Sequence, residues 1–339
     1  MDLTRERLQT LLAKMAAQHI VVLGDAMLDV YLAGDVDRIS PEAPVPVVSV
    51  RQRREALGGA ANVAANVAAI GAEARLVAVI GPDARGESLR HEMGQHQLAD
   101  GWLLVVADRP TTSKTRVVAR GQQVVRIDEE VEEPLLDDDA AKLLAALERA
   151  MVDADTLLIE DYNKGTLTPP VIERAMALAR RRGVPVVVDP KFRHFFAFRG
   201  ATVFKPNRRE LEQAMGAALD LAHPDALPAI LDRLGVDNLL LTLGHEGMVL
   251  VTKDQQMTQI PTMARDVYDV SGAGDTVTAW VGAALAAGAS MREAAQLATY
   301  AAGIEVGKAG VATVSPAEML AGYDSWSDQL GRLRRAGLL

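Results

Sequence analysis

The 339-residue chain has no cysteine. That excludes disulfides, thiolate metal sites and cysteine nucleophiles together. Aromatic residues are scarce, at 4%, so a core must be built mainly from Ala, Val and Leu. There is no basic excess: 36 Lys and Arg stand against 45 Asp and Glu, a net charge of −9, which argues against a nucleic-acid partner. No apolar run is long enough to span a bilayer, since the longest charge-free apolar stretch is Val277 to Ala289. The start, Met1-Asp2-Leu3-Thr4-Arg5-Glu6, mixes charge signs and reads as an amphipathic helix without a signal peptide. A soluble, cytoplasmic protein with no membrane contact is expected. Two phosphate-binding patterns are also missing: no G-x-x-x-x-G-K-[ST], and no G-x-G-x-x-G after a strand. His91 and His96 resemble a zinc-protease pair but lie five apart, so they do not share a helix face.

Hydrophobic residues at 49% and charged residues at 24% suit a protein with a sizeable core. Short β-branched runs at 20–23, 76–80, 156–159, 184–188 and 239–243 alternate with Ala- and Leu-rich stretches at helical spacing. The latter cover 60–70, 138–151, 171–182, 209–216, 226–235 and 275–288. That alternation predicts βαβ crossovers and a mainly parallel sheet covered on both faces. Two regions break the rhythm, 34–50 with Pro41, Pro44 and Pro46, and 111–128 with alternating polarity. Together they predict a small sheet standing off a single domain spanning 1–339, with Lys114, Arg116 and Arg120 making one face basic.

The most informative segment is Asp269-Val270-Ser271-Gly272-Ala273-Gly274-Asp275, which runs straight into an apolar helix. Small residues at Gly272, Ala273 and Gly274 let the backbone turn tightly and aim several N–H groups into one anion hole. A carboxylate at its mouth suits a general base that deprotonates an attacking hydroxyl. For these residues alone, an N-cap role for Asp275 fits equally well.

This segment resembles the C-terminal signature of the ribokinase-like (PfkB) sugar kinases. Gly58-Gly59-Ala60-Ala61-Asn62-Val63-Ala64 is similar to that family's N-terminal signature, Asn207-Arg208-Arg209-Glu210 to its N-x-x-E motif, and Thr242-Leu243-Gly244-His245-Glu246-Gly247 to its nucleotide-side segment. All four occur in the family's order. The stretch Arg38 to Val47, with Gly24 to Asp29 before it, is similar to the narrower group of bacterial D-glycero-β-D-manno-heptose 7-phosphate kinases. Some of that group carry a fused nucleotidyltransferase, and a chain ending at Leu339 has no room for one.

The resemblance implies a three-layer α/β/α ribokinase-like core with a protruding β lid. It further implies ATP and Mg²⁺ as cofactors, Asp275 as base, and the amides at 272–274 around the transferring phosphoryl group. Glu210, with Asn207, would hold Mg²⁺ through water, the lesser alternative being that the pair simply caps the helix beginning there. Thr242, Gly244 and Gly247 would lie along the nucleotide. On the acceptor side, Asp29 would accept sugar hydroxyls, Gly58 and Gly59 would let backbone approach the ring, and Asn62 would reach in from the next helix, its alternative being a solvated helix position. Asp161, Asp189 and the cations Lys164, Lys191, Arg116 and Arg120 complete the set, the cations facing a substrate phosphate. Val270 stands where many relatives have Thr, which puts the family's monovalent-cation site in doubt. Val45, Val47, Val117 and Val125 form an apolar lid face with no helix over it, so a homodimer through the lid is expected. A kinase of another sugar phosphate, such as fructose 6-phosphate, and a non-catalytic sugar-phosphate sensor are the competing expectations.

Overall fold

The computed structural model describes residues 3–220, 226–264 and 267–335, with side chains to Trp326. Met1 and Asp2, part of the expected amphipathic start, lie outside the described residues; helix α1 (Arg5–Met15) follows, capped by Thr4. The main sheet contains β1 (His19–Gly24), β4 (Glu73–Val77), β9 (Thr156–Glu160), β10 (Val186–Asp189), β11 (Val203–Phe204), β12 (Asn238–Thr242), β13 (Met248–Thr252) and β14 (Met257–Ile260). Its order is β14-β13-β12-β11-β10-β9-β1-β4. The pairs from β4 through β12 are parallel and the last two are antiparallel.

Strand periodicity distributes side chains between two cores. Ile20, Val22, Leu158 and Leu240 face one apolar cluster, while Val21, Leu23, Leu157, Ile159, Leu239 and Leu241 face the other. This is why these strands read as continuous apolar runs. The first cluster is covered by α1, α2 (Ala60–Ile70), α8 (Ala273–Ala286), α9 (Met291–Glu305) and α10 (Pro316–Arg335), with Leu89 and Met93 from α3 (Ala84–Gln95). The second is covered by α4 (Asp137–Ala150), α5 (Pro169–Arg182), α6 (Arg208–Met215) and α7 (Ala226–Leu234). The result is a three-layer α/β/α domain. Among the described residues no helix is long and apolar enough to cross a membrane.

The run at 76–80 is not one strand. Val77 ends β4, and β5 (Val79–Ile80) leaves to pair with β6 (Leu104–Val105) in a separate two-stranded sheet. A second, four-stranded sheet has the order β3-β2-β7-β8, from β2 (Ala26–Ile39), β3 (Pro46–Gly59), β7 (Ser113–Ala119) and β8 (Gln122–Glu129). Strands β2 and β3 are each fourteen residues long and reach well beyond 34–50 in both directions. Pro41 and Pro44 fall in their connection and Pro46 opens β3, where a missing N–H is tolerated. Because β3 ends at Gly59 and leads directly into α2, the second sheet is anchored at the carboxyl end of the main one.

Two expectations about this sheet are corrected. Its polar face is not basic, because acids on neighbouring strands answer the cations: Lys114 meets Asp128 (3.4 Å) and Glu130 (2.9 Å), and Arg116 meets Asp29 (2.5 Å). Val117 is already buried within the chain, whereas Val45 and Val125 are exposed, together with Ile39, Val50, Val124 and Ile127.

Candidate active site

The carboxyl ends of β9, β10, β11 and β12 meet the start of α8 around a cavity of about 560 Å³, a size suited to a nucleotide-sized ligand. Helix α8 is seated close to the sheet because Gly282 has no side chain: a Cβ there would approach Leu158 to 2.3 Å. Its N-cap is Gly272 at φ +96°, a left-handed conformation natural to glycine. The preceding turn is closed by Asp269, whose Oδ1 accepts the Ser271 N–H at 2.9 Å. The first-turn amides of Gly274 and Asp275 have no helical carbonyl one turn back and carry the positive end of the helix dipole.

Asp275 is not the cap. It sits inside the first turn, 6% exposed, with both oxygens accepting: Asn62 donates to Oδ2 and the Tyr162 hydroxyl to Oδ1, each at 2.7 Å. Burial pushes this carboxyl up to about 6, against the two hydrogen bonds, which pull it down. Asn62 is no solvated helix position, being buried and held by Asn66, whose amide donates to the Asn62 carbonyl (3.1 Å) while its own oxygen accepts from Thr276 (3.1 Å). The doubled Ala-Asn-Val-Ala pattern places both asparagines on the α2 face that packs on α8.

Beneath Asp275 lies a charged cluster. Lys205 is buried and pairs with Asp189 at 2.8 Å. Burial alone would lower its ammonium, but Asp189 and Glu160 hold it above its ordinary value. Glu160 is fully buried, neither oxygen has a hydrogen-bond partner among the described residues, and burial followed by Asp189 and Asp275 pushes it well above the usual carboxylate range. Carboxylate oxygens of Glu160, Asp189 and Asp275 lie within 4.8 Å of one another. A Cβ on Gly274 would stand 3.6 Å from the Lys205 ammonium, so that cation borders the anion hole.

Toward the other end of the cavity, Asn207 and Glu210 form a reciprocal capping box: Asn207 Oδ1 accepts the Glu210 N–H and Glu210 Oε2 accepts the Asn207 N–H, both at 2.9 Å. The capping role is therefore real. It does not exhaust Glu210, which lines the cavity and pairs there with Lys191. Thr242, Gly244 and Gly247 line the same cavity, with Thr262, Ala264, Thr299 and Gly303. Gly247, at φ +89°, is required by packing, since a Cβ would meet the Ile260 carbonyl at 2.2 Å.

The structure thus gathers Asp189, Lys191, Asn207, Glu210, Thr242, Gly244, Gly247, Gly272, Ala273, Gly274 and Asp275 around one cavity. Asp29, Gly58, Gly59, Asn62, Arg116, Arg120, Asp161 and Lys164 do not line it. Asp29, Gly58 and Arg116 form a group on the second sheet itself, on β2, β3 and β7, where a Cβ on Gly58 would stand 2.7 Å from Asp29 Oδ2. Lys164 is engaged by Glu130 (2.8 Å) and Glu132 (3.3 Å), and Asp161 Oδ1 accepts the Asn163 N–H (2.8 Å) with its carboxyl pushed by burial to about 7. Arg120 lies apart from both groups, highly exposed at the β7–β8 turn beside Asp37.

Sequence reasoning missed Tyr162, Lys205, Glu160 and Asp25. Asp25 organises the loop after β9 by accepting the N–H groups of Tyr162 (2.9 Å), Lys164 (3.0 Å) and Thr166 (3.3 Å). Lys205 carried one signal: a lysine closing an apolar strand two residues before Asn207.

Solved sugar-kinase structures share this architecture. An Arabidopsis thaliana ribokinase, complexed with ribose and ATP, superposes with a TM-score of 0.72 at 22% identity, covering 90% of this chain and 98% of that one. Escherichia coli phosphofructokinase-2, in a tetrameric inhibited form, gives 0.74 at 19% identity, covering 91% and 99%. The fold is therefore that of the ribokinase-like ATP-dependent sugar kinases. The model for "pfkB family carbohydrate kinase" matches residues 17–318, and the chain belongs to that family. Among curated relatives, the bifunctional protein HldE of Rhodospirillum rubrum is 43% identical over 316 residues, covering 93% of this chain and 64% of that protein. The HldE of Caulobacter vibrioides is 44% identical over 324 residues, covering 95% and 66%. The chain thus spans about two thirds of the length of these relatives.

Proposed function

We propose that this kinase transfers the γ-phosphoryl group of ATP to the C1 hydroxyl of D-glycero-β-D-manno-heptose 7-phosphate, giving the 1,7-bisphosphate on the route to ADP-heptose for the lipopolysaccharide inner core. The observation that carries the chemistry is Asp275, a buried carboxylate fixed at the mouth of a glycine-rich helix start. It takes the hydroxyl proton as the new O–P bond forms and the bond to the β-phosphate oxygen breaks, releasing ADP. The Gly272–Gly274 turn, Lys205 and Lys191 offset charge on the transferring group, in place of a P-loop. Glu210 and Asn207 fit a hydrated Mg²⁺, because a cavity-facing carboxylate with one cationic partner can hold such an ion through water. The ion would offset phosphate charge.

The heptose acceptor is supported by the Arg38–Val47 segment and by the HldE relatives at 43–44% identity. For its phosphate, the cations Lys114, Lys164 and Arg193 wait against Asp128, Glu130 and Glu132. An incoming phosphate would replace those carboxylates as their counter-ion. The exposed lid valines support pairing with a second subunit, and such a protein would work in the cytoplasm. The test is ATP turnover by the purified protein with Mg²⁺ and either heptose 7-phosphate or fructose 6-phosphate. Turnover with heptose 7-phosphate is expected; preference for the ketohexose phosphate would reject the acceptor and keep the base.

A further inference from the structure

Tyr162 belongs to none of the sequence motifs, yet it lies against Gly59, Asp275 and Lys191. It follows β9 in a loop wound around the Asp25 carboxylate, which takes its N–H together with those of Lys164 and Thr166. Asn163 and Gly165 adopt positive φ, +55° and +79°, to close that winding. The loop backbone is thereby fixed and the Tyr162 side chain has a defined direction. Its ring runs past Gly59, where a Cβ would stand 3.5 Å from Cδ2, and beneath the Lys191 ammonium, 5.1 Å from the ring centre. Its hydroxyl ends on Asp275 Oδ1 at 2.7 Å. One side chain therefore spans the acceptor-side glycines, the base and the cation nearest Glu210.

Given the base role proposed for Asp275, we infer that Tyr162 is a positioning residue whose hydroxyl aims the Asp275 carboxylate at the acceptor and favours its ionised form. The geometry leaves the hydroxyl one sensible role. A phenol buried beside carboxylates is held far above its ordinary titration range, by burial first and Asp275 next, so it stays protonated and donates. With Asn62 holding Oδ2 from α2, the two donors fix the carboxylate by both of its oxygens. Other charged groups also face it: Glu160 from β9, Asp189 from β10, Lys205 beyond β11 and Glu305 from α9. None of these donates to Asp275 in its place, and Lys205 is committed to Asp189.

The hydrogen bond favours the charged carboxylate, so removing it should raise the Asp275 midpoint from about 6. The test is Tyr162→Phe, which keeps the ring over Gly59 and under Lys191. A rise of about one unit would lower kcat about fivefold at pH 6, approaching tenfold at lower pH, and bring it back toward the unmodified rate by pH 8, with KM for ATP and sugar unchanged. A merely structural role would lower the rate equally at all pH values. In parallel, ¹³C NMR of carboxyl-labelled aspartate, assigned by the signal lost in Asp275→Asn, should show the same rise without any turnover. In the unmodified protein the Tyr162 Cζ resonance should follow the Asp275 midpoint. An acid limb and carboxyl midpoint unmoved in a folded Tyr162→Phe, or a Cζ resonance flat across that range, would overturn the inference. Absence of turnover by the unmodified protein with any sugar phosphate would instead sink the proposed function, and the NMR titrations would still decide the role of Tyr162.

Discussion

Replacing Asp275 by Asn should make the protein more stable while it destroys the activity. The carboxyl is raised by burial to about 6, against about 3.9 for an unfolded aspartate. Below pH 4 it is protonated in both states and contributes nothing to the difference. Between pH 4 and 6 the folded state holds the proton and the unfolded state has lost it, so stability falls as pH rises. Above pH 6 the full penalty is present. Two units at 1.36 kcal/mol each make it about 3 kcal/mol. An amide at this position is neutral at every pH and can accept from Asn62 while donating to the Tyr162 oxygen, so it escapes the penalty without orphaning either partner.

Urea titrations of both proteins at pH 4, 5, 6, 7 and 8 measure the difference. The variant is expected to match the unmodified protein near pH 4 and to exceed it by about 3 kcal/mol from pH 7 upward. Phosphoryl transfer at pH 7 should fall by about 10²–10⁴, the usual contribution of a general base, with ATP and sugar binding retained. A variant less stable at pH 8, or offset by the same amount at pH 4 and pH 8, would refute the idea that the site holds Asp275 charged at the expense of folding.

Gly59→Ala should destabilise by about 2 kcal/mol or more, because φ is +57° and a Cβ would stand 2.5 Å from the Asp25 carbonyl; urea titration checks this, with Gly94→Ala, whose Cβ meets nothing within 4 Å, as the near-neutral control. Lys164→Ala should raise KM for heptose 7-phosphate about 10- to 100-fold more than for unphosphorylated heptose, the value of one charged hydrogen bond, and equal losses for both sugars would remove Lys164 from the phosphate. Light scattering at micromolar concentration should give the mass of two chains, and Val125→Asp, placed on the exposed lid face, the mass of one; a single-chain mass for the unmodified protein would reject lid pairing.

The parts of the site readable from sequence are those built by consecutive residues. Gly272 to Asp275 make a turn and a helix start within four positions, and Asn207 with Glu210 close a capping box across one helical turn. Apolar runs likewise mark strands that are buried on both faces. Glu160 and Tyr162 at the end of β9, and Lys205 after β11, were invisible because these two chain segments meet only through the order β11-β10-β9. The lid cations were misread for a related reason. Alternation along β7 showed Lys114 and Arg116 on one face, but their partners stand on neighbouring strands, Asp128 in register with Lys114 and Asp29 one strand away. Charge along a single strand carries no information about the strand beside it.

That distinction bears on how the site can accept a polyanion such as ATP at all. Counted naively, Glu160, Asp189, Glu210, Asp275 and Glu305 would bring five negative charges to or around one cavity. The structure removes most of that charge by two different means. Asp189 and Glu210 are each matched by a lysine, Lys205 and Lys191. Glu160 and Glu305 are instead pushed by burial toward their uncharged forms, Glu305 with its carboxyl raised to about 8 and lying beside Gly272. Asp275 is matched by no lysine in this way, because its two hydrogen-bond partners are the neutral donors Asn62 and Tyr162. A lysine in place of either would stabilise the carboxylate too well for it to take a proton. Neutral donors orient it while leaving burial to raise it, and in the proposed reaction this carboxylate is the group that takes the acceptor's proton.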